Sequence, residues 1–415
     1  MVQKSILTNG LRLITEELPH FHSAALGVWL EVGSRDENAG ENGLTHFLEH
    51  MAFKGTGKRN ALGIAREIDQ LGGSGNAFTS KEQTCFHGKV LAEQLPRLVD
   101  LLSDLVLNPL YLAEELEKER QVILDEISAQ EDSPEDQVQV LFARKFWGDS
   151  AFGRPILGEA KEISRISRQD LLAYRGATYR PEQTVVAAAG CLKHQELLDA
   201  AEVFFRNFEN GSRPRPREAV TTFSGVHTFK RDLEQVHLCL GTRGPAAGDE
   251  KRYAATILQL ILGGNMSSRL FQVVREQLGL AYSIYSFLSF FSDTGLLGIS
   301  AGVSPKNLEP VIAAICRELK KLKDEAVLEA ELKAAQDYVK SSIYLAAEDC
   351  EHRMMRMAKN EIHFGRYITL EEIIAGMMAV TVAEVQELAR ELCRPENWAL
   401  ALLGPVKSQV GPLDF

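Results

Sequence analysis

The chain has 415 residues, of which 45% are hydrophobic and 25% are charged, a composition that is typical of globular proteins and excludes a largely disordered chain. Its length exceeds what one hydrophobic core usually serves, so we expect two or more domains. The formal net charge of -11 argues against a nucleic-acid-binding surface and mildly favours cationic or neutral partners.

The sequence predicts neither a membrane span nor a targeting signal. The longest uncharged stretch, Ala254–Ser268, contains Gln259, Asn265 and two glycines, and it is shorter than the roughly 18 residues that a span requires. The first residues, MVQKSILTNGLRLI, resemble neither a secretion signal nor a transit peptide. The six cysteines include no C-x-x-C pair, which indicates buried free thiols. We therefore expect a cytoplasmic protein or, alternatively, one of the mitochondrial matrix or another compartment after signal removal.

In chain order, the first half begins with predicted strands and continues with predicted helices. Alternating or continuous apolar residues predict strands at GLRLITEEL (10–18), AALGVWLEVGS (24–34) and TCFHGKVL (84–91). Helical periodicity follows at LPRLVDLLSDLVL (95–107), EELEKERQVILDEISAQ (114–130) and EDQVQVLFARKFW (135–147). The second half repeats this order, with strands at HTFKRDL (227–233) and QVHLCLGTRG (235–244) before a helix at KRYAATILQLILGG (251–264).

An internal repeat supports a duplication. RPEQTVVAAAG starts at Arg180 and RPENWALALLG starts at Arg394, an offset of 394 minus 180, or 214 residues. Each copy follows a predicted helix, whose candidate N-cap is Ser167 in the first half and Thr381 in the second. The repeat predicts two similar α+β domains, 1–214 and 219–415, each an antiparallel sheet backed by helices, joined by the linker-like NGSRPRPRE (210–218).

The stretch THFLEH carries the strongest chemical signal. On a helix, His46 and His50 are four residues apart and share a face, and Glu49 lies beside them. This spacing is typical of metal ligands, in the order H-x-x-E-H. The alternative interpretation is a solvated helix with two surface histidines.

A catalytic zinc ion commonly has three protein ligands, so two histidines need a further partner. The predicted helix at 114–130 offers Glu119 and Glu126, seven residues apart and therefore on one face. One of the two could bind the metal while the other supports it. The alternative is that this charged helix is merely solvated.

The chain resembles the pitrilysin, or insulinase, family of zinc peptidases, also called inverzincins, and in particular its smaller branch with the mitochondrial processing peptidase catalytic subunit and bacterial relatives. The resemblance is carried by GLTHFLEHMAFKGT, GGSGNAFTSKEQT, EKERQVILDEI and MSSRLFQVVREQLGLAYSIYSF, in that order. It implies two domains enclosing an interdomain cavity, with Zn²⁺ held by His46, His50 and Glu126. It also implies Glu49 as the general base that activates a zinc-bound water, and Glu119 as a carboxylate that orients the site.

The resemblance extends to substrate recognition. It implies that Arg275 and Tyr282, seven residues apart in the second half, contact the substrate or its developing oxyanion; the alternative is an ordinary surface arginine and a core tyrosine. It further implies that an extended substrate adds to the strand containing Asn76, Ala77 and Phe78, for which a plain edge strand is the alternative.

These features predict a zinc-dependent endopeptidase for short or unfolded polypeptides, acting as a homodimer, with no nucleic-acid or membrane partner. The alternatives are the catalytic subunit of a heterodimeric presequence-processing peptidase and a noncatalytic assembly subunit. No second H-x-x-E-H occurs in the chain, so one metal site is expected. Acidic residues after the metal helix could favour basic substrates or could form a solvated helix start: Glu131, Asp132, Glu135 and Asp136.

Overall fold

The computed structural model describes residues 1–209, 217–406 and 410–415. Most of the predicted linker, residues 210–216, lies outside the described residues. The strands are β1 (Val2–Ile6), β2 (Arg12–Glu17), β3 (Ser23–Leu30), β4 (Ser74–Thr79), β5 (Thr84–Leu91), β6 (Thr184–Gly190), β7 (Gly225–Lys230), β8 (Val236–Gly244), β9 (Ala281–Phe290), β10 (Gly295–Val303) and β11 (Ala399–Gly404).

The helices of the first half precede and follow β5. They are α1 (Leu44–Ala52), α2 (Ala61–Gln70), α3 (Leu95–Leu107), α4 (Ala113–Asp132), α5 (Pro134–Phe146), α6 (Ala160–Ile163), α7 (Arg168–Thr178) and α8 (His194–Phe204). Those of the second half are α9 (Arg252–Gln259), α10 (Leu308–Asp324), α11 (Glu329–Ala346), α12 (Cys350–Phe364), α13 (Leu370–Ala379) and α14 (Val382–Leu392). None of the helices in the described ranges is long and apolar enough to span a membrane.

The two sheets share one strand order, which confirms the predicted α+β duplication. The first sheet has the order β1-β2-β6-β3-β5-β4 and the second the order β7-β11-β8-β10-β9, so β1 is the one strand without a counterpart among the described residues. β6 and β11 are the two repeat strands. Each sheet is antiparallel except at one pair, since β2 with β6 and β7 with β11 are parallel. The prediction of purely antiparallel sheets is corrected at these two pairs.

The chain forms two compact units that are not contiguous in sequence. The first unit comprises Met1–Ser128, Pro155–Glu218 and Leu345–Ile368; the second comprises Ala129–Arg154, Ala219–Tyr344 and Thr369–Phe415. The units therefore differ from the contiguous division at 214 and 219, because each includes a helical segment from the other half of the sequence.

The exchanged helices explain how both faces of each sheet are buried. In the first unit, α3 packs on β3 and β5, and α12 packs on β3 and β6. Between α12 and the sheet, Met354 and Met357 contact a fully buried cluster that includes Trp29. In the second unit, α5 packs on β8 and β11. Because both faces of the sheets are covered at their centres, β6 and β11 are buried at every position.

The strongly periodic segments have the bounds that the sequence predicts, whereas the bounds of some other segments differ from the prediction. β5 and α3 span the predicted residues, and Ser167 and Thr381 cap α7 and α14 in capping boxes. The helix predicted over 251–264 is α-helical only to Gln259 and then adopts π-type turns over Leu260–Gly264.

Candidate metal centre

Helix α1 carries the H-x-x-E-H residues, and its first turn is capped by a residue outside the helix. Gly43 precedes the helix with a φ of 92°, a conformation that favours glycine, and it has no side chain to cap the helix. The buried carboxylate of Glu37 supplies this cap instead, accepting hydrogen bonds from the backbone N–H groups of Gly43 (3.0 Å) and Thr45 (2.8 Å). Because the first turn is held in this way, the side chains of His46 and His50 emerge from a defined position on the first unit.

Helix α4 brings the carboxylates. Its buried apolar residues, Leu116, Ile123 and Ile127, lie at helical spacing on one face. Glu119 and Glu126 each follow one of these residues by three positions, so the packing that buries the apolar face also turns both carboxylates towards α1.

The structure brings His46, His50 and Glu126 together. Glu126 Oε2 lies 3.8 Å from His46 Nε2 and 3.5 Å from His50 Nε2, and one ligand atom from each residue lies within 4.8 Å of the others. Tetrahedral zinc bonds of about 2.0–2.2 Å separate ligand atoms by about 3.3–3.6 Å. Two imidazole nitrogens and one carboxylate oxygen are a donor set that a catalytic zinc ion takes from a protein, and the three residues lie close enough together to hold one. Among the described residues the structure places no other such group together.

Glu119 contacts the imidazole of His50 on the side opposite to Glu126. Its Oε2 atom accepts a hydrogen bond from His50 Nδ1 at 3.1 Å, and its Oε1 atom lies 2.6 Å from Lys54 Nζ. A hydrogen bond of this kind fixes the ring and its tautomer so that Nε2 is directed to the metal. Glu119 is therefore placed to orient a ligand, and Glu126 to be one.

Glu49 directly precedes His50 and is not part of the group formed by His46, His50 and Glu126. It is partly buried, and its Oε2 atom accepts a hydrogen bond of 2.5 Å from the hydroxyl group of Thr79, at the end of β4. This geometry suits a group that moves a proton beside the metal rather than one that binds it.

The two histidines differ in their affinity for a proton. Burial, with the neighbouring charge of His50, lowers the pKa of His46 to about 3. Burial acts in the same direction on His50, but the hydrogen bond to Glu119 and the charges of Glu126, Glu49 and Glu119 outweigh it and raise the pKa of His50 above its ordinary value. His50, between two carboxylates, therefore has a higher affinity for a proton than His46 has.

The carboxyl groups of Glu49 and Glu119 also differ in their affinity for a proton. Burial raises the pKa of Glu49, and the hydrogen bond from Thr79 and the charge of His50 offset only part of this effect. Burial also acts to raise the pKa of Glu119, but its hydrogen bonds to His50 and Lys54 outweigh burial and lower that pKa. The pKa of Glu119 thus lies below its ordinary value and that of Glu49 above it, and a raised pKa suits a group that takes up a proton.

Strand β4 is an edge strand, since in its sheet it pairs with β5 alone. It ends at Thr79, and Ser80 N–H donates to the carbonyl oxygen of Gln83 across the following turn at 2.7 Å. Because peptide groups alternate along an antiparallel strand, the backbone of Ala77 faces away from β5. The N–H of Ala77 accordingly bonds to the side-chain oxygen of Asn76, at 2.8 Å.

The side chains of this strand are mainly structural. Ala77 packs against the core on the α1 side of the sheet, and Phe78 packs against the cluster on the α12 side, 5.5 Å from Trp29 between ring centroids. The strand predicted to contain Asn76, Ala77 and Phe78 is β4, and it is separated from β5 by a turn over residues 80–83. What β4 offers to an extended peptide is its outward backbone, together with the exposed side chain of Asn76.

Arg275 and Tyr282 lie together in the second unit. The guanidinium carbon of Arg275 is 5.0 Å from the ring centroid of Tyr282 and 4.7 Å from that of Phe271. Arg275 belongs to a π-type segment, Phe271–Gln277, a backbone form that is frequent at functional sites. Tyr282 is 81% exposed, so it is not the core tyrosine of the alternative interpretation.

The acidic residues Glu131 and Asp132, at the end of α4, and Glu135 and Asp136, at the start of α5, are all exposed. Asp132 pairs with Arg231 at 3.1 Å, and Glu135 accepts a hydrogen bond from the hydroxyl group of Tyr285 at 3.2 Å. Glu135 and Asp136 occupy the first turn of α5, where negative charge is favourable. Selection of basic substrates by this segment stays a prediction.

The site also contains residues that the sequence analysis did not identify. Glu37 caps the metal helix, Thr79 holds Glu49, and Lys54 holds Glu119. All three lie in or near the quoted motif blocks, but none has a spacing that is diagnostic of its role.

Comparisons with known proteins identify the family of the chain. Residues 12–160 match the family described as Insulinase (Peptidase family M16), and residues 165–339 match the Peptidase M16 inactive domain. An uncharacterized zinc protease of Mycobacterium bovis is 40% identical over 408 residues, covering 97% of this chain and 93% of the relative. The uncharacterized zinc protease YmxG of Bacillus subtilis is 38% identical over 405 residues, covering 98% of each chain.

Solved structures show the same fold. A protease from Helicobacter pylori superposes with a TM-score of 0.90 at 20% identity, covering 98% of this chain and 99% of that one. A peptidase M16 inactive domain from Pseudomonas fluorescens gives a TM-score of 0.89 at 20% identity, covering 99% and 100%. From the sequence matches over nearly its whole length, the chain belongs to the insulinase (M16) family of peptidases.

Proposed function

We propose that the protein is a zinc-dependent endopeptidase that hydrolyses short or unfolded polypeptides. The observation that carries the proposal is the convergence of His46, His50 and Glu126, with Glu49 alongside, in a chain whose relatives are named zinc proteases. A noncatalytic assembly subunit would need neither an intact set of metal ligands nor a base.

His46 Nε2, His50 Nε2 and a Glu126 oxygen would hold the metal, with Glu119 fixing the His50 ring. A zinc ion bound there supplies Lewis acidity, which polarises a peptide carbonyl and makes water a better nucleophile near neutral pH. Glu49 accepts the proton of the attacking water and then delivers it to the amide nitrogen as the C–N bond breaks. The products are one carboxylic acid and one amine, so atoms and protons balance.

The proposed substrate is an extended polypeptide segment. The outward backbone at Ala77 can pair with such a segment irrespective of its sequence, after the Asn76 side chain has released the Ala77 N–H. This supports selection for unfolded chains, because a folded substrate has few free backbone groups. Arg275 and Tyr282 are proposed, from the resemblance, to bind the substrate carbonyl or the developing oxyanion.

The test uses the full chain and an unstructured fluorogenic peptide. Wild-type protein should contain about one zinc per chain, lose activity to a chelator and regain it with zinc. Glu49→Gln should keep zinc and lose most turnover, whereas Asp125→Asn, on the exposed side of α4, should change neither. Cleavage at the wild-type rate by the Glu49→Gln protein would reject the mechanism.

We also propose that the active form is a homodimer, as the family resemblance implies. Light scattering on the purified active protein tests this part separately. A monomer with full activity would overturn it without affecting the proposed chemistry, and activity that appears only with a second, different chain would favour the heterodimeric alternative.

A further inference from the structure

We propose that Thr79 is a positioning residue that holds the general base Glu49 from the strand that takes the substrate. The inference rests on the proposed function, since it concerns the same centre. It assigns to the β4 edge a second task, which is to fix the base that acts on the peptide bound there.

The contact between Thr79 and Glu49 is direct and short. Thr79 Oγ1 donates to Glu49 Oε2 at 2.5 Å, and both residues are partly buried. Among the described residues, Thr79 is the hydrogen-bond donor that the structure gives this carboxylate. A carboxylate with one oxygen occupied in this way has its plane fixed and its other oxygen, Oε1, free to take a proton.

The position of Thr79 on the strand explains why this residue can reach the base. Successive side chains alternate across a strand, so Thr79 lies on the same face as Ala77, the face that packs towards α1, while Phe78 lies on the other. The turn after Thr79 is closed by three hydrogen bonds between Ser80 and Gln83. The hydroxyl group therefore projects from the anchored end of an edge strand.

The same backbone alternation links substrate binding to the base. The outward-facing peptide groups of β4 are those of the odd-numbered residues, including Ala77 and Thr79. A peptide that pairs with this edge bonds to the residue whose side chain holds Glu49, so strand addition restrains Thr79 while the base is needed. A threonine suits this task better than a serine, because its β-branch restricts χ1.

The first experiment compares Thr79→Val, which keeps the shape and removes the hydroxyl, with Thr79→Ser, which keeps the hydroxyl. The valine variant should retain zinc and bind peptide with a similar KM, but its kcat should fall by about tenfold or more, a share of the roughly 10²–10⁴-fold that a positioned general base contributes. The serine variant should recover most of that loss. Thr8→Val, at an exposed threonine after β1, the strand at the opposite edge of the same sheet, should behave as wild type.

A double-mutant cycle separates positioning from general destabilisation. In the Glu49→Gln background, the further change Thr79→Val should leave the residual kcat unaltered, since there is no carboxylate base left to position. A merely structural role would lower kcat by the same factor in both backgrounds and would overturn the inference. If Thr79→Val does not fold, Thr79→Ala enters the same cycle.

The two proposals fail in different ways. A wild-type protein that binds zinc but cleaves no unstructured peptide contradicts the proposed function. A wild-type protein that cleaves, with an inactive Glu49→Gln variant and a Thr79→Val variant of unchanged kcat, contradicts the role of Thr79 alone.

Discussion

Glu119 and His50 form a hydrogen bond of 3.1 Å between Oε2 and Nδ1, on the side of the imidazole opposite to Glu126. One ring is therefore held between two carboxylates that are seven residues apart on one helix. The arrangement assigns different tasks to two glutamates that the sequence alone leaves equivalent, and it yields separate predictions for each.

Replacing Glu119 with Gln should weaken zinc binding without abolishing it. The amide removes the negative charge that holds the His50 ring, and the loss of such an outer partner typically costs about 10–100-fold in metal affinity. Competition with a chelator of known affinity measures the change. Glu117→Gln, on the exposed side of α4, is the matched control, and an affinity equal to that of wild type would exclude an orienting role for Glu119.

Replacing Glu126 with Gln should lower zinc occupancy more than Glu119→Gln does. A neutral amide is a poorer zinc ligand than a carboxylate, and Glu126 is the residue whose oxygen approaches both histidine Nε2 atoms. Metal analysis of the purified variant measures occupancy, with Asp125→Asn as control. Full zinc content with Gln at this position would remove Glu126 from the set of ligands.

Zinc affinity should decrease with falling pH with a slope of one proton. Binding at His50 Nε2 displaces a proton whose pKa is raised in the metal-free protein, so affinity is level above that pKa and falls about tenfold per pH unit below it. The pKa of His46 is about 3, so this residue adds no competing proton near neutral pH. Chelator competition between about pH 5 and 8 measures the slope.

The Glu119→Gln variant provides the control for this pH dependence. Without the carboxylate, the pKa of His50 should fall, and the decrease in zinc affinity should begin at a lower pH than in wild type. A slope of two protons in wild type, or an onset that is unchanged in the variant, would contradict the assignment of the proton to His50.

Arg275→Ala and Tyr282→Phe should each lower kcat/KM while zinc content and thermal unfolding stay unchanged. Loss of one oxyanion donor costs about 2.7–4 kcal/mol, so a fall of about one hundredfold is expected. Tyr282→Phe keeps the ring that lies against Arg275 and removes only the hydroxyl group. Tyr338→Phe, at an exposed tyrosine on α11 of the same unit, is the control. Wild-type kinetics in both test variants would contradict the roles proposed for Arg275 and Tyr282.

The ligands could be predicted from sequence because helix geometry fixes their relations. A separation of four residues sets His46 and His50 on one face, and a separation of seven does the same for Glu119 and Glu126. The sequence left open which glutamate binds the metal, since that depends on how α1 and α4 pack.

The supporting contacts could not be predicted because tertiary packing determines them. Thr79 meets Glu49 across 30 positions of the chain, and the meeting depends on the register of β4 beside α1. Glu37 caps a helix that begins seven residues later, through a loop whose path has no sequence signature. Likewise, nothing in the periodicity of Cys350–Phe364 indicates that it covers the sheet of the other half.

Helix α12 (Cys350–Phe364) determines when the core of the first unit can be completed during synthesis. When the ribosome has released the first 344 residues, all strands of the first sheet are present, but Trp29 and Cys85 still lack the methionines that cover them. The nascent chain therefore completes this core only after residue 364 has emerged, late in translation. A prematurely terminated chain would expose an apolar sheet face and be open to chaperones and degradation, so an unfinished peptidase half would not persist as a stable, freely acting fragment.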